Sequence, residues 1–224
     1  MREFQEAVAV FDLDRTITRF GTFSPFLVYS TLNRPWRFLY APLVITLMLI
    51  YKAGWLDRSR LKELMLIMVA GRRHDELAER SRKFAAALIR RCLRPGARSV
   101  IKRHKEAGHL LILVTASMDF YAEEIGRQLG FDAVVGTPSI WDEEDRLTSR
   151  LGGENCYGDA KLRYLAARVV ELDGKLAQFE RYTYTDHHTD APLLEWATKP
   201  FVVDPKKKMQ KLAEEKGYPI LDWD

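Results

Sequence analysis

Ala7-Val8-Ala9-Val10-Phe11-Asp12-Leu13-Asp14-Arg15-Thr16 is the stretch on which the reading of this chain turns. Five apolar residues run without interruption into two carboxylates two positions apart. A short continuous apolar run suits a strand buried on both faces of a parallel sheet. If the extended geometry continues past Phe11, the side chains of Asp12 and Asp14 share a face. Acids so placed can close a strand, bind a structural cation, or serve as nucleophile and acid/base group around one divalent metal. The motif alone leaves these readings open.

Working outward, His109 to Thr115 (HLLILVT) is a second apolar run, entered from a helical stretch closed by Gly108. Ala133-Val134-Val135, Tyr182-Thr183-Tyr184 and Phe201-Val202-Val203 are further strand candidates, each bounded by Gly, Asp or Pro. Amphipathic helical patterns lie between them, at about Ala97 to Ala107, Asp119 to Leu129, Lys161 to Leu172 and Ala191 to Ala197. Strands alternating with helices predict an α/β fold with a doubly wound parallel sheet and its site at the carboxyl ends of the strands. Two segments break the alternation. Ser139 to Gly152 has an acidic turn between short extended arms and reads as a hairpin. The stretch from about Arg19 to Leu93 reads as all-helical, so residues 19–93 are expected to form a helical domain inserted into a core of residues 1–18 and 94–224.

The 224 residues and 47% hydrophobic content can bury a real core. Cys92 and Cys156 have neither metal-ligand spacing nor a partner set for a disulfide framework. Met1 to Ala7 lacks a charged-then-apolar secretory pattern, so a cytoplasmic location is expected. The net charge of +4 is unevenly spread. From Arg15 to Arg94 there are 16 basic and 5 acidic residues, a balance of +11, while the remainder carries −7. One part of the molecule is thus suited to an anionic partner.

Three later segments give the two acids their meaning. In Leu113-Val114-Thr115-Ala116-Ser117, the Thr115 hydroxyl and the Ala116 backbone N–H could cap a helix or hold phosphate oxygens at its entrance. Lys161 stands at the start of a helix, where the macrodipole does not favour a cation. Asp186-His187-His188-Thr189-Asp190 follows the Tyr182 to Thr185 strand with two carboxylates four apart. One can bind metal while the other orients Lys161 or the metal shell.

In order and in strand-end placement, these four features resemble the four motifs of the haloacid dehalogenase superfamily of phosphohydrolases. The resemblance covers nearly the whole chain and is to the branch with a helical cap after the first strand, which includes phosphoserine phosphatases. It implies a magnesium-dependent phosphatase, with Asp12 attacking phosphorus and Asp14 protonating the leaving alcohol, then activating water. It implies Mg²⁺ between the Asp12 carboxylate, the Asp14 backbone carbonyl and Asp186. Thr115, Ala116 and Lys161 would hold the phosphoryl oxygens, and Asp190 would support the metal shell or Lys161. Arg15 departs from the family pattern, which usually has a small residue there. His187 and His188 also replace commonly small residues and are read as solvent-exposed loop histidines.

The inserted segment bears on substrate. No acidic side chain occurs between Asp14 and Asp57, which disfavours a substrate ammonium. Phe38 to Tyr51 is an uncharged run of fourteen residues, too short for an ordinary membrane span. Its flanks, Arg34, Trp36, Arg37, Lys52 and Trp55, suit lipid headgroups. Phe23 to Lys52 also resembles the cap of phosphatidylglycerophosphatase C-type proteins. The expected substrate is an amphiphilic phosphomonoester such as phosphatidylglycerophosphate or a lysophospholipid phosphate, with peripheral contact at the cytoplasmic face of an anionic membrane. Soluble sugar, nucleotide or phosphoserine-like phosphates are the alternative, as is a non-catalytic membrane-associated binding module. Hydrolysis and transfer to another acceptor share one intermediate and are not separable by sequence. No nucleic-acid module is recognisable, and nucleic acid is not an expected partner. The sequence does not fix an oligomeric state.

Overall fold

The computed structural model describes residues 7–172 and 179–224. The leader expectation concerns residues that lie mostly outside this range. The strands are β1 (Ala7–Phe11), β2 (Leu110–Met118), β3 (Ala133–Thr137), β4 (Ser139–Trp141), β5 (Leu147–Leu151), β6 (Glu180–Thr185), β7 (Lys199–Val203) and β8 (Ile220–Leu221). Six of them form a parallel sheet in the order β3-β2-β1-β6-β7-β8, and β4 and β5 make the expected antiparallel hairpin. All five residues of β1 are buried, as the unbroken apolar run requires. The chain steps outward from β1 through β2 to β3, then returns to the other side of β1 with β6. The crevice at this reversal is where an open parallel sheet presents its site.

Register sets the site. Phe11 lies level with Leu113 of β2 and Tyr184 of β6. The residues that follow these three therefore emerge side by side: Asp12, the Thr115–Ala116 peptide, and Asp186. Helices α5 (Pro95–Glu106), α6 (Asp119–Leu129), α7 (Asp159–Leu172), α8 (Ala191–Trp196) and α9 (Lys207–Lys216) flank the sheet. Gly130 closes α6 in the left-handed region, at φ +77°. The additions to the expected elements are α9 and β8, the latter with two residues, too short to carry a period.

Between β1 and β2 come α1 (Phe23–Thr31), a 3₁₀ segment Pro35–Tyr40, α2 (Ala41–Lys52), α3 (Arg58–Met65) and α4 (His74–Arg91). The chain leaves and re-enters through a backbone stem in which Thr18 bridges Leu93 and the Arg19 N–H donates to the Cys92 carbonyl. Phe26 of α1 and Phe84 of α4 pack against Tyr121 of α6, with ring centroids 4.3 Å (Phe26–Tyr121) and 6.1 Å (Phe84–Tyr121) apart. One hydrophobic cluster runs through both the inserted helices and the sheet. The basic flanks are not all free for headgroups. Arg34 pairs with Glu76 at 2.8 Å, and Arg37 is buried, donating to the carbonyls of Ile67, Met68 and Ala70.

Candidate active site

Asp12 continues the β1–β6 ladder by donating its N–H to the Tyr184 carbonyl, so its carboxylate enters the crevice from a rigid backbone. One carboxylate oxygen accepts from the Lys161 ammonium at 2.5 Å, which in turn donates to Asp190 at 2.7 Å. All three side chains are more than nine-tenths buried. Lys161 is delivered by the first turn of α7, and Asp190 precedes α8, where the Thr185 hydroxyl also holds it at 2.7 Å. The other Asp12 oxygen accepts from the Thr16 hydroxyl at 2.9 Å. That hydroxyl lies 3.3 Å from an Asp186 carboxylate oxygen and accepts the Asp186 N–H at 3.0 Å. Thr16 thus ties the ends of β1 and β6 together.

Asp14 sits apart from this cluster. Its carboxylate accepts the Thr22 N–H at 2.5 Å and the Ser117 hydroxyl at 2.9 Å. Asp12, Asp14, Ala116, Lys161, Asp186 and Asp190 all line a cavity of about 300 Å³. Thr115 does not line it. Its side chain is fully buried, and its hydroxyl accepts the Ser117 N–H at 3.0 Å. Nor is this segment a helix entrance: β2 runs on to Met118 before α6 begins. His187 and His188 are partly buried rather than solvent-exposed, and His187 lines the cavity. Burial lowers the His187 pKa to about 4.

Charge is unbalanced at this site. Burial pushes the Asp12 carboxyl up to about 8 against the pull of Lys161, with Asp190, Asp186 and Asp14 adding to the rise. Burial and then Asp190 raise Asp186 to about 6. Lys161 is held above its ordinary value because Asp12 and Asp190 outweigh the effect of its burial. Three buried carboxylates share one ammonium, so a further cation fits. Asp12, Asp186 and the Asp14 carbonyl offer hard oxygen donors of the kind magnesium takes. Among the described residues no group of three or more Asp, Glu, His or Cys side chains could hold a metal, so a carbonyl would have to complete such a set.

Several participants carry no legible role in the sequence. Lys62 of α3 reaches from the inserted helices into the core, donating to the Ala116 carbonyl and to Asn155 Oδ1 at 2.5 Å. Burial lowers its pKa to about 8. Arg58 stacks on Tyr157 at 4.0 Å, and both line the cavity. Thr16 belongs to the opening motif, and that was the available signal for it. Lys62 and Ser117 had none, because their partners lie 54 and 103 residues away.

The family description of the haloacid dehalogenase-like hydrolases matches residues 9–195, from within β1 to within α8. The chain belongs to that family. The chain is 27% identical over 174 residues to a histidinol-phosphatase of Neisseria meningitidis, covering 77% of this chain and 78% of that protein. A Bordetella pertussis protein of unknown function superposes with a TM-score of 0.86 at 28% identity, over 98% of this chain and 100% of that one. A phosphoserine phosphatase solved as a phospho-aspartyl intermediate analogue superposes with a TM-score of 0.63 at 17% identity, over 98% and 94%, and speaks for the fold. The expected α/β family fold is met, and so is the expectation of a phosphatase. These relatives do not bear on the likeness to phosphatidylglycerophosphatase C-type proteins.

Proposed function

We propose that the chain is a magnesium-dependent phosphomonoester hydrolase working through an aspartyl-phosphate on Asp12, with residues 19–93 as its cap. The observation that carries this is the meeting of Asp12, Thr16 and Asp186, just beyond the adjacent strands β1 and β6, with Lys161 and Asp190 from the starts of α7 and α8, and with Asp14 across the same cavity. Asp12 attacks phosphorus, forming one P–O bond as the bond to the alcohol breaks. Asp14 gives its proton to the departing oxygen and then takes one from the water that cleaves the acyl phosphate. The Thr22 N–H and Ser117 hydroxyl fix Asp14 for both transfers. Lys161 and the Ala116 N–H meet the phosphoryl oxygens, and Thr115 supports the end of β2 through Ser117. Asp190 holds Lys161 in place. Mg²⁺ held by Asp12, Asp186 and the Asp14 carbonyl would neutralise phosphoryl charge.

The substrate is an amphiphilic phosphomonoester. A second cavity of about 420 Å³ touches Asp14 and Ala116 and is walled by Phe23, Met48, Tyr51, Leu61 and Met65. Arg15, Lys52, Arg58 and Lys62 stand on the same wall and suit an anionic headgroup. A small soluble phosphomonoester is the second reading, favoured by the histidinol-phosphatase relative.

Phosphate release with Mg²⁺ from lysophospholipid phosphate micelles, phosphatidylglycerophosphate and a panel of soluble phosphomonoesters separates the two, with Asp12→Asn as the blank. A higher kcat/KM on the lipids supports the amphiphile. Turnover confined to soluble esters rejects it. Wild-type release equal to the Asp12→Asn blank on every ester rejects the mechanism.

A further inference from the structure

The outward side of α2 has the reverse of the usual pattern for a surface helix. Val44 is the one buried residue of this helix. The residues turned to solvent are apolar: Leu43 is 47% exposed, Ile45 58% and Leu49 61%. The hydroxyl on this face, that of Thr46, is satisfied within the helix by donating to the Pro42 carbonyl at 2.9 Å. Leu39 extends the patch at one end, and Trp36 and Trp55 flank it, all more than half exposed. Such a contiguous patch marks an interaction surface rather than scattered exposure.

We infer that this face of α2 seats the protein on an anionic lipid surface, with Ile45 and Leu49 entering the acyl boundary and Trp36 and Trp55 at headgroup level. Charge selects the occupant. The segment around the patch has no acid between Asp14 and Asp57, and Lys52 stands exposed at the end of the helix. An anionic bilayer complements this apolar and basic surface. A second copy docked through the same face would bring two basic segments together. The opposite side of the same helix sends Met48 and Tyr51 to the wall of the cavity beside Asp14, so docking would place that cavity near the lipid. This inference rests on the exposed face and stands apart from the choice of substrate.

The test uses the full chain carrying Asp12→Asn, so that binding is read without turnover. It is sedimented with phosphatidylglycerol/phosphatidylcholine vesicles and with phosphatidylcholine alone. Binding should require the anionic lipid, weaken in high salt, and fall at least ten-fold in Ile45→Glu/Leu49→Glu. In the active background, that double variant should hydrolyse a soluble aryl phosphate within two-fold of the parent. Absent binding, equal binding to both vesicle types, or unchanged binding by the double variant overturns the inference. So does a dimer in solution that the double variant dissolves, which would make a second copy the occupant. Vesicle binding by a chain that hydrolyses only soluble phosphates would leave this inference standing and reject the amphiphile.

Discussion

Arg15 adopts φ +69° immediately after Asp14, a left-handed conformation that favours glycine. The strain in a side-chain-bearing residue there is about 1 kcal/mol. Glycine relieves it but raises the entropy of the unfolded chain by a comparable amount, about 0.5–1 kcal/mol. Arg15→Gly should therefore leave stability within ~0.5 kcal/mol in urea unfolding, while kcat/KM falls because a guanidinium leaves the cavity wall. A variant as active as the parent would show that the side chain serves only the turn. Thr16 makes a different argument. Its buried hydroxyl meets two carboxylates and one N–H, and Thr16→Val leaves those groups short of a partner. Stability should drop by about 1–3 kcal/mol, and phosphate release should fall ten-fold or more, with Thr16→Ser restoring most of both. Equal loss from Thr16→Ser and Thr16→Val would assign the effect to packing instead. Asp12 and Asp186 were legible because each directly follows the last residue of a strand, and Asp14 and Asp190 because they recur two and four positions further on. Thr115 does not open a helix, because Val114 to Met118 stays extended, and sequence carries no mark of where β2 stops.

At the scale of elements, the joint between α5 and β6 is sensitive to pH. His104 of α5 is almost wholly buried, with Nε2 2.9 Å from the Tyr184 hydroxyl and Nδ1 2.8 Å from Nδ1 of His109. Burial, then His109, lowers its pKa to about 4. Unfolded, it takes a proton near 6.5. Between those values the unfolded chain binds more protons, so stability present above pH 6.5 is lost as pH falls toward 4. The contribution is on the order of 1–2 kcal/mol. Asp186 titrates in the opposite sense over this range, so the His104 contribution is read as a difference: between pH 7 and pH 5 the parent should lose about 1–2 kcal/mol relative to His104→Gln in urea unfolding, and an equal pH dependence in the two chains would remove His104 as the cause. The core helices before α9 were readable from their periods, and the central strands β1 and β2 from their unbroken apolar runs. What the sequence concealed was how the inserted helices join the sheet. The packing of Phe26 face-on and Phe84 edge-on against Tyr121 is a long-range contact between separate helices, and no local pattern names the partner.

For the molecule as a whole, the site concentrates negative charge that folding alone does not compensate. Asp12, Asp186 and Asp190 are buried around the single ammonium of Lys161. The rise of Asp186 to about 6 means that the folded chain binds more protons than the unfolded one between about pH 4 and 6. Stability from that group is therefore lost as pH rises through 6, and at pH 7 its charge is a net cost of about 1–3 kcal/mol. Asp186→Asn should consequently make the metal-free chain more stable at pH 7 while abolishing most phosphate release. Magnesium bound to the folded chain alone offsets the same charge, adding about 1.4 kcal/mol at ten times its dissociation constant. Thermal unfolding of the parent should therefore shift upward with Mg²⁺ and return on chelation, whereas Asp186→Asn should start higher and respond little. A parent indifferent to Mg²⁺, or an Asp186→Asn chain less stable than a metal-free parent, would mean that Lys161 already balances the cluster. The stability given up at pH 7 would then have to be sought elsewhere than in a cation site.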